Sequence, residues 1–276
     1  WRHARRDRDR PLDAGTHVLC EKPLANSVAD AERMTEAAEA AAARGVRSLV
    51  GFNYRRTPAL ALARRLVEQG RIGEIRHIRA TYLQDWIADP AFPLVWRLRA
   101  DVAGSGALGD IGAHIVDLAA HVTGHRLSGV SALTETFVKQ RPLAGSSAGL
   151  AATADGVGGE ARMGEVTVDD AVVVIARTDR GALATFEATR FATGRRNAMA
   201  IEVNASRGSF RFDFERMNEL EFHDHTLPAA EHGFRRQLCR HGGQRRVADI
   251  RVERPRHQQI TVEARQLRCR QSRGGR

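Results

Sequence analysis

Residues 104–120 read GSGALGDIGAHIVDLAA and set Asp110 and His114 four positions apart on what reads as a helix. At that spacing both side chains leave one face, one turn apart. A carboxylate beneath an imidazole holds the ring's tautomer and raises its basicity, which is the minimum for a general base near neutral pH. The same spacing also occurs as a plain surface pair, so the chemistry depends on what accompanies it. Gly104, Gly106 and Gly109 match G-x-G-x-x-G. A dinucleotide loop of that form needs an apolar strand immediately before it and an acidic residue about 20 positions on. Here WRLRADVA precedes it, which is no strand. These glycines are therefore expected to let backbone approach a site and to start the helix, and not to hold a pyrophosphate. His121, one turn beyond His114 and a step off its face, is read as structural.

Upstream, residues 17–25 read HVLCEKPLA. The β-branched and apolar run 16–20 after Gly15 reads as a buried parallel strand. Glu21, Lys22 and Pro23 follow at its C-terminal end, where open α/β sheets bind ligands. Pro23 restricts Lys22 to extended backbone; a solvated strand-end lysine is the plain alternative. Asn26 or Ser27 can cap a helix over 28–43, ended by Gly45. A second buried strand over 46–52 is closed by GFNYRR at 51–56. Asn53, Tyr54 and Arg55 then stand at another strand end, either lining a pocket or supplying turn chemistry. Residues 58–69 form an amphipathic helix with Leu60, Ala63, Leu66 and Val67 on one face.

Downstream the period changes to two. Residues 75–86 alternate as a half-buried strand, and Gln84 on it either hydrogen-bonds a polyol or faces solvent. Strands recur over 127–138, 169–177, 182–189, 198–204, 209–214 and 219–223, with turns at Gly181 and 206–208. That spacing suits an antiparallel sheet. Residues 139–166, rich in Gly, Ala and Ser, read as a long loop. His223 and His225 form H-x-H with no third ligand placed nearby, so no metal site is expected.

The stretches HVLCEKPLA, GFNYRR and GSGALGDIGAHIVDLA occur in the order of the Gfo/Idh/MocA oxidoreductases, which the chain resembles as far as about Asp224. The resemblance implies an NAD(P)-dependent dehydrogenase of a sugar, polyol or related compound. It implies an α/β fold: a Rossmann domain, then an α/β domain whose open, mostly antiparallel sheet carries substrate on one side and commonly forms homo-oligomers. It implies that Lys22 donates a hydrogen bond to the substrate oxygen and that His114 accepts the hydroxyl proton. Asp110 then orients His114 or grips a neighbouring hydroxyl, and the Lys22–Pro23 peptide is often cis. Glu21, Lys22, Pro23, Asn53 and Arg97 are the expected cofactor contacts, with NAD or NADP as cofactor. Lys22, Tyr54, Gln84, Asp110 and His114 are the expected substrate contacts. At Arg97 the plain alternative is a solvated arginine beside a packed Trp96.

A first βαβ unit carrying the true glycine-rich turn would lie roughly eighty residues before Lys22, and 21 residues precede it. The expectation is thus a Rossmann remnant over 1–56, a substrate and oligomerisation domain over 57–234 and a disordered basic tail over 235–276, with turnover impaired. A non-catalytic sugar-binding or oligomerisation module is the alternative.

Charge separates the tail from the body. Of the net charge of +10, all resides in residues 235–276, which hold thirteen arginines and three acids. A basic arm can bind nucleic acid through counterion release, but Phe234 is the last aromatic, so nothing stacks bases, and the body is charge-balanced. Nucleic acid is therefore not the expected partner. The arginine-rich, non-periodic ends 1–10 and 235–276 read as foreign to the family. Three scattered cysteines, Cys20, Cys239 and Cys269, fit neither a disulfide framework nor a zinc site. No run of 18 apolar residues and no apolar leader occur, so a cytoplasmic protein without a membrane span is expected.

Overall fold

The structure, a computed structural model, describes residues 9–25, 27–143 and 162–239. After α1 (Asp9–Asp13), the strand β1 (Val18–Cys20) pairs in parallel with β2 (Ser48–Val50), and α2 (Val28–Ala42) crosses between them. The Ser27 side chain accepts from the Asp30 N–H at 3.2 Å and starts α2; Asn26, the other candidate cap, lies outside the described residues. Gly45, at φ +83°, takes the left-handed turn that follows α2. Leu12, Ala41 and Val46 close a small core beneath this pair. Both strands are shorter than the apolar runs that announce them, because Gly51 and Phe52 already bond back across the strand end.

The rest is one eight-stranded sheet with two helices on one face. Its order is β12-β11-β10-β9-β3-β8-β7-β4, from β3 (Ile75–Leu83), β4 (Leu127–Glu135), β7 (Ala171–Thr178), β8 (Leu183–Thr189), β9 (Ala198–Ala205), β10 (Gly208–Asp213), β11 (Glu219–Asp224) and β12 (Arg235–Leu238). Every neighbour runs antiparallel except β3 with β8. Alternation decides the faces. Ile78, Ala80 and Tyr82 of β3 point inward with Val174, Phe186, Ile201 and Phe210. Against them pack α3 (Pro58–Glu68), through Leu60, Ala63 and Leu66, and α5 (Ala113–Thr123), through Ile115, Leu118 and Val122. Each fully buried Leu or Ile there contributes about 1.5–3 kcal/mol of burial free energy. The opposite face is open: Leu133 is 81% exposed, and Val173 and Ile175 are more than half exposed.

Two expectations are corrected. Arg235–Leu238 is not tail but the edge strand β12, paired to β11 with Arg236 opposite Glu221 and 3.2 Å from Glu219. An edge strand bathed on both sides needs no apolar period, and acids on its neighbour accept its arginines. Residues 140–142 and 163–165, inside the expected loop, form the antiparallel ribbon β5 (Gln140–Pro142) and β6 (Met163–Glu165), anchored by the buried Arg141. Residues 144–161, like most of the basic tail, lie outside the described residues. Among the described residues no helix is long and apolar enough to cross a membrane.

Candidate active site

Three elements converge where β1 ends. The Lys22–Pro23 peptide is cis, and Lys22 Nζ donates to the Asp110 carbonyl at 2.6 Å and lies 3.2 Å from Asp110 Oδ1. Asp110 stands on a wide π-turn, Leu108–Gly112, just before α5. Such turns splice an extra residue into a helix and re-aim its side chains. Here the turn aims Asp110 at Lys22, and no hydrogen bond joins Asp110 to His114. The expected stacked pair is therefore replaced by a lysine–aspartate pair with the imidazole beside it.

The G-x-G-x-x-G run is filled by the protein's own carboxylate. Asp169 Oδ1 accepts from Gly106 N–H and Oδ2 from Leu108 N–H, both at 2.7 Å, and its carbonyl accepts from Ala107 N–H. A Cβ on Gly106 would sit 1.7 Å from the Asp169 carbonyl oxygen. The glycine is required for that approach, and the anion-accepting amides are already taken.

His114, on the first turn of α5, is buried at 8% exposure. Its ring is enclosed by Phe52, Tyr54 and Tyr82, with centroids at 5.8, 4.9 and 6.0 Å. Its Nδ1 has no hydrogen-bond partner. Burial, then the Lys22 cation, holds the imidazole down to about 4, with Asp110 pulling the other way. The ring is accordingly neutral at physiological pH.

A polar chain runs out from this ring along β3. Tyr82 donates to Asn197 Oδ1 at 2.8 Å, so the single hydrogen between Tyr54 and Tyr82 comes from Tyr54. Gln84 Nε2 donates to the same Asn197 oxygen at 2.8 Å, and Trp86 Nε1 donates to Gln84 Oε1. Burial raises the ionisation of Tyr82 far above the ordinary phenol range. Arg55 forms a two-point ion pair with Asp117 of α5, tying the turn after β2 to the helix that carries His114.

A cleft of about 540 Å³ opens over Lys22 and Asp110, walled by Glu21, Pro23, Trp96 and Arg97. The Arg97 guanidinium lies 4.4 Å from the Trp96 ring. Of the expected contacts, the cleft brings together Glu21, Lys22, Pro23, Arg97 and Asp110. His114, Tyr54 and Gln84 form the adjoining aromatic and amide wall, whereas Asn53 is exposed on its turn and does not line the cleft. His121 binds the Arg64 guanidinium at 2.9 Å, and His223 accepts from the Gly233 N–H. Both are structural contacts. Sequence reading missed Asp169, Asn197 and Phe52. The Asp169-Asp170 dipeptide before an apolar strand was the one available signal, but nothing in the spacing linked it to Gly106.

The cleft's position outside a parallel strand pair, with a cation and an arginine-backed aromatic on its walls, fits the reactive end of a dinucleotide. Among the described residues no glycine-rich turn follows an apolar strand to take a pyrophosphate.

The family model "GFO/IDH/MocA C-terminal domain" matches residues 60–211, and "Oxidoreductase family, NAD-binding Rossmann fold" matches residues 9–52. Levoglucosan dehydrogenase of Pseudarthrobacter phenanthrenivorans is 44% identical over 223 residues, covering 81% of this chain and 56% of its own length. The crystal structure of an oxidoreductase domain protein from Kribbella flavida aligns with TM-score 0.78 and 59% identity over 85% of this chain and 59% of that chain. A levoglucosan dehydrogenase structure in complex with NADH and L-sorbose aligns with TM-score 0.73 and 39% identity over 84% of this chain and 56% of that chain. The chain thus spans somewhat more than half the length of these relatives.

Proposed function

The chain belongs to the Gfo/Idh/MocA oxidoreductase family, and from that premise we propose that it serves NAD-linked oxidation of a CH–OH group on a sugar, polyol or anhydrosugar. The observation that carries the reading is the meeting of Lys22 and Asp110 at one cleft, with a neutral His114 in the wall beside it. When bound, the nicotinamide supplies the hydride acceptor. Lys22 donates to the substrate oxygen and stabilises it as charge develops, an effect worth about 10²–10³ in rate. Asp110 keeps that ammonium in place through Oδ1 and can accept from a neighbouring hydroxyl. His114 takes the hydroxyl proton at Nε2, since Nδ1 is enclosed; burial keeps the ring neutral with a lone pair available, and the charge on Asp110 returns some of the basicity that burial removes. A positioned base of this kind contributes about 10²–10⁴. Gln84, Asn197 and Tyr54 offer an amide and hydroxyl edge to further hydroxyls. Arg97 and the 21–23 peptide hold the cofactor side.

In the same proposal residues 1–56 belong to the nucleotide-binding unit and the eight-stranded sheet to the substrate unit, in a cytoplasmic protein. Calorimetric titration with NADH and NADPH, with Lys22→Ala in parallel and levoglucosan and myo-inositol as trial substrates, tests it. Micromolar binding that Lys22→Ala weakens at least tenfold supports the reading. A folded chain that binds neither nucleotide overturns it for this chain.

The open sheet face favours a second role in self-association. Leu133, Val173, Ile175 and Leu183 leave an apolar corner beside the charged pair Arg79–Glu202. If no nucleotide binds, a non-catalytic sugar-binding or oligomerisation module takes over.

A further inference from the structure

Behind Asp110 lies an arginine that plays no part in the chemistry above. Arg190, just past the end of β8, has no exposed surface. Its Nη2 donates to the Asp169 carbonyl at 2.9 Å. Its Nη1 approaches Asp110 Oδ2 at 3.9 Å, and its Nη2 approaches Asp170 Oδ1 at 3.9 Å. Neither Nε nor Nη1 has a hydrogen-bond partner, and the guanidinium lies 5.5 Å from the Trp86 ring. A buried guanidinium is tolerated only where opposite charges compensate its lost hydration. Two carboxylates do so here, Asp110 and Asp170, and the first faces the cleft.

Asp110 therefore stands between two cations. Lys22 meets Oδ1 from the cleft side and Arg190 meets Oδ2 from the core. We propose that Arg190 is a positioning residue that anchors Asp110 from behind, keeping its carboxylate turned so that Lys22 is held in place yet remains free to donate to a substrate oxygen. Three observations support it independently. Arg190 is the only guanidinium recorded as an ion-pair partner of Asp110 among the described residues. The backbone it grips, the Asp169 carbonyl, belongs to the residue whose carboxylate fixes Gly106 and Leu108 at the start of the π-turn. And a Cβ on Gly106 would lie 2.8 Å from Arg190 Nη2, so the turn and the guanidinium fit against each other. Arg190 thus couples the ordering of the turn to the charge of its one cleft-facing acid. The role rests on the dehydrogenase reading for its purpose but not for its test.

The chain has only two lysines, Lys22 and Lys139, and Lys139 is exposed on the sheet edge and paired with Glu135. Selective ¹³C-lysine labelling therefore gives a two-signal spectrum, assigned with Lys22→Arg, in which Lys139 is the internal reference. On addition of salt at constant pH the Lys22 signal moves toward the position of a free lysine as its pair with Asp110 loosens. Arg190→Met removes the cation that holds Oδ2 and leaves the carboxylate free to turn from Lys22. The release of Lys22 then moves to lower salt, by at least twofold in concentration. Arg190→Lys, which keeps the charge, restores at least half of that shift. Should Arg190→Met fail to fold, Arg190→Gln, which keeps a donor for the Asp169 carbonyl, takes its place.

Thermal unfolding of the same variants separates the two roles. If they lose stability while the Lys22 signal and its release stay at their wild-type positions, Arg190 is packing alone and the proposal is overturned. If NADH binds no variant and the release still moves, the positioning role stands and the dehydrogenase reading falls instead.

Discussion

His114 combines a base's lone pair with a hydrophobic setting, and that combination has a stability signature. Its imidazole titrates in the native state at about 4, mainly through burial, against 6.5 when exposed. Between those values the unfolded chain binds a proton that the folded chain refuses. Stability is therefore fully present above pH 6.5 and is lost as the pH falls toward 4, by about 3 kcal/mol for this one group. Urea unfolding at pH 7 and at pH 4.5 measures the slope, and His114→Phe, which keeps a ring among Phe52, Tyr54 and Tyr82, should flatten it. His121, depressed to about 3 by burial and by Arg64, adds a slope of the same sign that His114→Phe leaves in place. For turnover, His114→Asn should lower kcat by 10²–10⁴ with nucleotide affinity within about threefold of wild type. A parallel collapse of affinity and kcat would assign His114 to binding. At this scale the candidate residues were legible, because lysine before proline at a strand end and aspartate four before histidine are local patterns. Asn197 and Asp169 were not, since their partners lie more than sixty positions away.

The π-turn is where element-scale reasoning from sequence fell short. A helix carrying Asp110 and His114 was visible, but the extra residue that turns Asp110 toward Lys22 is imposed from outside, by Asp169 seizing two of its first amides. Asp169→Asn, which keeps an acceptor for one N–H and turns a donor toward the other, should cost about 2 kcal/mol. Gly106→Ala, with its Cβ driven onto a backbone oxygen, should cost about 3 kcal/mol, the upper end for overpacking. Gly181→Ala is the control. It takes a left-handed φ of +86° but meets nothing within 4 Å, so about 1 kcal/mol of backbone strain is expected. Denaturation midpoints for the three variants check the order. Elsewhere the elements followed their periods: β7 alternates throughout and β3 from Ile78 onward, past the bulge between Ile75 and His77, because among the described residues one face meets helices and the other meets none. The ribbon β5–β6 hid because three-residue strands carry too little pattern, and β12 hid because charge alone was read there.

At the scale of the molecule the sheet has, among the described residues, one covered and one bare face. If the bare face joins two copies, Leu133→Glu with Ile175→Glu should convert the sedimenting species to monomer while leaving the unfolding midpoint within about 0.5 kcal/mol, since neither side chain touches the core. An unchanged species distribution removes that surface from consideration. An antiparallel sheet was legible from strand spacing and its openness from the family resemblance, whereas its order was not, because β3 inserts between strands that lie far downstream. That insertion has a consequence for how the chain comes into being. β3 ends at residue 83, and its two neighbours begin at residues 183 and 198. On a ribosome elongating at about 5–20 residues per second, the central strand waits roughly 5–20 s for its first partner. During that interval α3, already made, and α5, completed at residue 123, have their apolar faces uncovered. Stalled nascent chains ending near residue 170 should be cut readily by protease within 75–123, and those extended past β11 should resist. A central strand of the finished sheet is thus the one left unpaired longest during synthesis, and it is there that a chaperone would find its grip.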